Sequence, residues 1–169
     1  MNRKGDMATR NKLLIEKGAE AAVKDGDISI QQYAKLKHNI ELFNACVAKH
    51  DQLSSLDNKW FYGAPGVGKS RKARRDYPNH YDKPLNKWWD DYKDQDTVIL
   101  DDFSKDHACL ASHLKRWADH YPFTAEVKGG AINIRPTRLV VTSNYHPRDI
   151  FQDEVTQQAV LRRFQVIHM

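Results

Sequence analysis

The run Trp60-Phe61-Tyr62-Gly63-Ala64-Pro65-Gly66-Val67-Gly68-Lys69-Ser70 leads a short apolar segment into a glycine loop that closes on Gly-Lys-Ser. It matches G-x-x-x-x-G-K-[ST] at every fixed position. Gly63, Gly66 and Gly68 let the backbone turn so that successive N–H groups point at phosphate oxygens with no Cβ in the way. Lys69 supplies a point charge for the β- and γ-phosphates. Ser70, at the start of the next helix, offers a hydroxyl to Mg²⁺, and the helix N-terminus adds partial positive charge beneath the anion. The expected chemistry is binding and hydrolysis of ATP. A second group fits the same task. Thr97-Val98-Ile99-Leu100 is a buried-looking strand that ends on Asp101 and Asp102. In such sites the first carboxylate holds Mg²⁺ and the second orients or deprotonates the attacking water. A third strand, Arg138 to Ser143, ends on Asn144, an amide able to reach a γ-phosphate or the lytic water.

The elements around these residues are legible from spacing and punctuation. A helical pattern near Ala8 runs to a stop at Gly26-Asp27, after an arm over Met1 to Gly5. Ser29 and Gln32 form a capping box that opens a second helix. Its apolar residues Tyr33, Leu36, Ile40, Phe43 and Val47 make an a/d seam, suited to another helix of the same or a neighbouring chain and equally to covering the nucleotide domain's core. The polar stretch His50 to Lys59 is a connector, which puts a helical region at residues 1–50 and the nucleotide domain at 51–169.

The loop helix is expected from Lys69 to about Asp76, with its basic residues solvated or facing phosphate. An amphipathic helix is expected over Asp106 to Tyr121, and a hairpin over Phe123 to Ile134 with Lys128 near its tip. A helix over Asp153 to Leu161 leads to Arg162-Arg163 and a closing strand, Gln165 to Ile167. The large aromatics Trp88 and Trp89 are expected to pack.

Composition narrows the function classes. A net charge of +5 suits a polyanionic partner. No apolar run approaches the length of a membrane span and the first residues are polar, so a soluble, non-secreted chain is expected. Cys46 and Cys109 are isolated and no histidines pair at metal-binding spacing, which leaves a disulfide framework or zinc site without support.

Taken together, four motifs resemble the superfamily 3 helicase domain: the glycine loop, Ile99-Leu100-Asp101-Asp102, the hairpin Glu126-Val127-Lys128-Gly129-Gly130, and Val141-Thr142-Ser143-Asn144. More narrowly the chain resembles the replication initiator (Rep) family of circular single-stranded DNA viruses, of circovirus type. Lys87-Trp88-Trp89-Asp90 and Leu161-Arg162-Arg163 are similar to that family's pattern as well.

The resemblance covers about Lys59 to Met169. It implies an α/β fold, a P-loop NTPase core of AAA+ type with a central mostly parallel sheet, preceded by a small all-α oligomerisation region. It further implies a homo-hexameric ring around single-stranded DNA, 3′ to 5′ unwinding fuelled by ATP with Mg²⁺, no membrane partner, and work in the host nucleus. Residue by residue, the family's A motif falls on Gly63 to Ser70, its B motif on Asp101 and Asp102, and its sensor on Asn144. Its DNA-contacting hairpin lysine falls on Lys128, beside Gly129, and its arginine finger on Arg163 rather than Arg162.

The family's endonuclease motifs do not occur here: Tyr33 and Lys37 miss the Y-x-x-K spacing by one, and no histidine pair precedes them. Nicking activity is therefore not expected of this chain. The rival reading is an ATP-gated oligomeric scaffold that binds single-stranded DNA without unwinding it alone.

Overall fold

The computed structural model describes residues 3–169, with side chains from Gly5 onward. The arm expected at Met1 to Gly5 falls partly outside these residues, and Arg3 already lies in helix α1 (Arg3–Lys17). The chain divides between Ala48 and Lys49 into two compact units.

In the first unit the single helix expected from Ala8 to Gly26 is two, α1 and α2 (Ala19–Lys24). Gly18 stands between them at φ 82, a left-handed conformation that interrupts the helix, while its N–H still bonds to Leu14 O at 2.9 Å. Leu14, Ala19 and Ala22 are the buried residues of this pair. Lys17 reaches Asp25 and Asp27, both at 2.5 Å, and so staples the turn that follows. α3 (Ile30–Val47) opens on the expected box, with Ser29 N–H donating to Gln32 Oε1 at 3.0 Å. No residue of α3 is fully buried, and Ile30, Phe43 and Val47 are exposed.

The second unit is built on a five-stranded parallel sheet in the order β2-β3-β6-β1-β7. Its strands are β1 (Asn58–Tyr62), β2 (His80–Asp82), β3 (Thr97–Leu100), β6 (Arg138–Ser143) and β7 (Phe164–His168). The central strands are nearly continuous apolar runs because both faces are covered: every residue of β3 is buried, and so are the last five of β6. On one face Phe61, Ile99 and Val140 pack on Ala73 of α4 (Lys69–Asp76). On the opposite face, Trp60 is fully buried against Phe103, Phe151 and Phe164. β1 begins two residues before the apolar run Trp60-Phe61-Tyr62, and Asn58 is buried and satisfied there. Its amide donates to Ala118 O at 2.9 Å and to Arg163 O at 3.0 Å, and it accepts from Leu139 N at 2.8 Å.

The long helix expected over Asp106 to Tyr121 is a 3₁₀ segment, Lys105–Leu110, followed by α5 (Ala111–Trp117). It stops early because the buried Arg135 takes the carbonyls of Trp117, Asp119 and Tyr121 into side-chain hydrogen bonds. Strands β4 (Phe123–Val127) and β5 (Gly130–Ile134) form the expected hairpin as a separate two-stranded sheet. Short α6 (Pro147–Ile150) and α7 (Glu154–Arg163) then lead into β7.

Candidate nucleotide-binding site

Three separate stretches of sequence converge at the C-terminal edge of the sheet. β1 passes into the glycine loop at Gly63, where a Cβ would collide with the Met169 carbonyl oxygen, so the position admits no side chain. Gly68 caps α4 at φ 95. It has no side chain to offer the helix's first N–H groups, which leaves them as donors for an anion.

Lys69 follows, only 8% exposed. Its Nζ donates to Gly63 O at 2.9 Å, Ala64 O at 2.8 Å and Asn144 Oδ1 at 3.0 Å. All three partners are neutral oxygens, so the ammonium is solvated by protein but not neutralised. Lys69 and Asn144, 75 positions apart, are thus in direct contact.

Asp101 and Asp102 lie in the turn after β3. Burial alone would push the Asp101 carboxyl up. Hydrogen bonds from Ser70, Thr142 and Arg74 outweigh it and hold Asp101 below the usual carboxylate range. Thr142 Oγ1 donates to Asp101 Oδ1 at 2.6 Å and accepts from Asp102 N–H at 2.9 Å, so one hydroxyl fixes both acidic residues. Asp102 is exposed and left-handed at φ 58, an uncommon conformation for a residue other than glycine. Next along β6, Ser143 Oγ donates to Phe103 O at 2.6 Å and completes the clamp on the carboxylate turn.

Thr142 and Arg74 escaped the sequence reading. Arg74 forks between Asp101 (3.1 Å) and Asp82 (2.9 Å). The signal for it was its place four residues after Ser70, which puts both on one face of α4. Two other basic residues of α4 are paired as well: Lys72 with Asp76 at 2.6 Å and Arg75 with Asp76 at 3.0 Å.

A profile of the RNA helicase family matches residues 59–145, just over half of the chain. The chain belongs to the RNA helicase family. The matched span runs from the glycine loop through the carboxylate turn and hairpin to Asn144. Curated relatives carry the expected likeness to circovirus-type replication initiators. The replication-associated protein of goose circovirus is 41% identical over 104 residues, covering 60% of this chain and 34% of that protein. That of beak and feather disease virus is 36% identical over 104 residues, covering 61% and 35%. That of a human-associated cyclovirus is 30% identical over 117 residues, covering 64% and 41%. The chain therefore spans about a third of the length of the first two of these relatives.

Two remaining family positions lie away from the loop. Lys128 and Gly129 form the exposed tip of the β4–β5 hairpin, with Gly129 at φ 88 and Lys128 N–H bonded to Asp90 Oδ1 at 2.8 Å. Arg163, the expected arginine finger, is engaged within its own chain. Its guanidinium turns inward, donating to Asp119 Oδ2 at 2.6 Å and Ala159 O at 2.9 Å, and the side chain is only 10% exposed. In this conformation its charge is met by Asp119 of the same chain. Arg162 is the exposed member of the pair and lines an open surface groove with Arg148 and Gln158.

Among the described residues, no helix is long and apolar enough to cross a membrane.

Proposed function

We propose that the chain is the ATP-hydrolysing motor of a DNA helicase acting in viral replication initiation. The observation that supports this best is the buried Lys69 ammonium, held only by neutral oxygens, at the same sheet edge as Ser70, Asp101 and Asn144. A triphosphate supplies the anionic partner that the Lys69 ammonium lacks. It also finds the unengaged N–H groups at the start of α4 and the loop Gly63, Ala64, Pro65, Gly66, Val67, Gly68 around it.

The residues fit a magnesium nucleotide. Ser70 and Asp101 would hold Mg²⁺, which when bound neutralises charge on the phosphates. Lys69 exchanges the Gly63 and Ala64 carbonyls for phosphate oxygens. Asp102, exposed and fixed through its backbone by Thr142, accepts a proton from the attacking water, and Asn144 orients that water or the γ-phosphate. Arg162 takes the place of Arg163 as the cation offered to a neighbouring subunit's site.

Lys128 contacts DNA phosphate from the hairpin tip. Residues 1–50 are an oligomerisation region, whose exposed Phe43 and Val47, one turn apart on α3, give a second copy an apolar face to bury. The working assembly is a hexameric ring on single-stranded DNA in the host nucleus.

Strand displacement from a forked duplex, measured beside ATP turnover by the same preparation, tests the reading. Both activities are expected, and both are lost in Lys69→Ala. Turnover without displacement would favour the ATP-gated scaffold that binds single-stranded DNA.

A further inference from the structure

The β4–β5 hairpin shares no strand pairing with the five-stranded sheet, so something else must fix where its tip points. The segment Lys87-Trp88-Trp89-Asp90 does this. Trp89 N–H donates to Glu126 O at 2.9 Å, and Trp88 forms a parallel bridge with Glu126, which makes the segment a partial third strand beside β4. Lys87 Nζ pairs with Glu126 Oε1 at 3.1 Å. Trp89 is fully buried, with its ring 5.5 Å from that of Phe123 at the base of the hairpin.

At the far end of this seam the Asp90 carboxylate accepts the backbone N–H of Lys128 at 2.8 Å. Asp90 is itself held. Its carbonyl accepts from the Tyr81 hydroxyl at 2.6 Å, and the Tyr92 N–H closes a turn onto Trp89 O at 3.2 Å. Tyr81 lies in β2, paired in register with Val98 of β3, the strand that leads into the turn at Asp101. A continuous set of contacts thus runs from the carboxylate strand to the backbone of Lys128.

We propose that Asp90 is a positioning residue: by accepting the Lys128 N–H it fixes the direction in which the hairpin presents Lys128 to a single-stranded DNA backbone. This rests on the reading of Lys128 as a phosphate contact. The sign of the effect separates positioning from bulk charge. Asp90 is an anion beside a surface meant for DNA, so on charge alone its removal tightens binding. Positioning requires the opposite when the hydrogen-bond acceptor is lost. Asp90→Ala and Asp90→Asn remove the same charge, but only Asp90→Asn keeps an acceptor oxygen at that place.

The test is the affinity of the full chain for a fluorescent oligothymidylate over a range of salt, comparing Asp90→Ala, Asp90→Asn, Lys128→Ala and the Asp90→Ala/Lys128→Ala pair. Lys128→Ala is expected to make the slope of log affinity against log salt shallower by about 0.7, the loss of one single-strand phosphate contact. Asp90→Ala should weaken binding roughly five-fold with a shallower slope, as expected for a partly lost contact, and should add nothing in the double variant. Asp90→Asn should bind at least as tightly as the unmodified chain. Amide exchange at Lys128 should quicken in Asp90→Ala and not in Asp90→Asn, which also shows that the variants fold.

Binding by Asp90→Ala that equals or exceeds that of Asp90→Asn, while Lys128→Ala is weakened, would overturn the positioning role and leave Lys128 as a contact. Unchanged binding by Lys128→Ala would overturn the reading of the hairpin, and the proposal with it.

Discussion

Thr142 spends one hydroxyl on two acidic residues, and that economy separates their roles. Asp101 receives the Thr142 hydrogen bond and the Arg74 fork at its carboxylate, whereas Asp102 is fixed only at its backbone and projects an exposed side chain. Asp102→Asn should therefore still bind ATP with Mg²⁺ while hydrolysis falls by about 10²- to 10⁴-fold, as expected for loss of a general base. Asp101→Asn should instead raise the Mg²⁺ concentration needed for nucleotide binding. Mg²⁺ titrations of a fluorescent ATP analogue with each variant check this, and identical behaviour would contradict the division.

The two arginines at the end of α7 separate in the same way. Arg163→Ala leaves Asp119 without its partner and should destabilise the chain by about 2 kcal/mol, read as a fall in Tm. Arg162→Ala should leave Tm unchanged and abolish turnover. The sequence shows both arginines side by side, but which one turns inward depends on Asp119, 44 positions away, and no local spacing encodes that contact.

Among the elements, β2 and the segment after it hold the hairpin through an unusual buried cation. Lys83 is 2% exposed, its Nζ is 5.2 Å from the Trp89 ring and 4.7 Å from the Trp117 ring, and it donates to the carbonyls of Pro84 and Asn86. Burial pulls its pKa from 10.5 down to about 7, against the favourable field of Asp90. Between those two values the folded chain binds fewer protons than the unfolded chain, so stability rises with pH from about 7 toward 10.5. Above pH 10 the buried Tyr81, pushed up to about 12, retains its proton longer than in the unfolded chain and works in the opposite sense.

Unfolding of the wild type and Lys83→Met at pH 7, 8 and 9 isolates the lysine. The wild type should gain on the variant by up to about tenfold in folding constant per pH unit. A constant difference would mean that the ring faces and carbonyls keep Lys83 charged throughout.

The elements near the loop were legible because parallel central strands are long apolar runs and α4 starts at a glycine. The α1–α2 break at Gly18 and the early end of α5 were not. A single glycine is tolerated inside many helices, and the side chain that ends α5 is Arg135, which arrives from beyond the hairpin.

At the scale of the whole molecule, the sheet edge is the part of the site that sequence order conveyed, since a glycine loop, a carboxylate strand and a strand ending in Asn144 follow one another in parallel topology. A site shared between subunits would be less legible, because a residue serving a neighbour's site need leave no partner in its own chain. If Arg162 acts in trans, Arg162→Ala and Lys69→Ala subunits are each inactive alone. Their mixture regains ATPase activity, increasing with protein concentration, because some interfaces then pair an intact loop with an intact arginine. No recovery in mixed assemblies would place Arg162 outside the shared site.

All of these effects presuppose that the Lys69 edge turns over ATP. The deciding measurement is phosphate release from Mg²⁺-ATP by the purified chain, with and without single-stranded DNA, beside Lys69→Ala. Turnover that rises with DNA and disappears in Lys69→Ala is the expected result; equal turnover by the two proteins, or none by either, would contradict it.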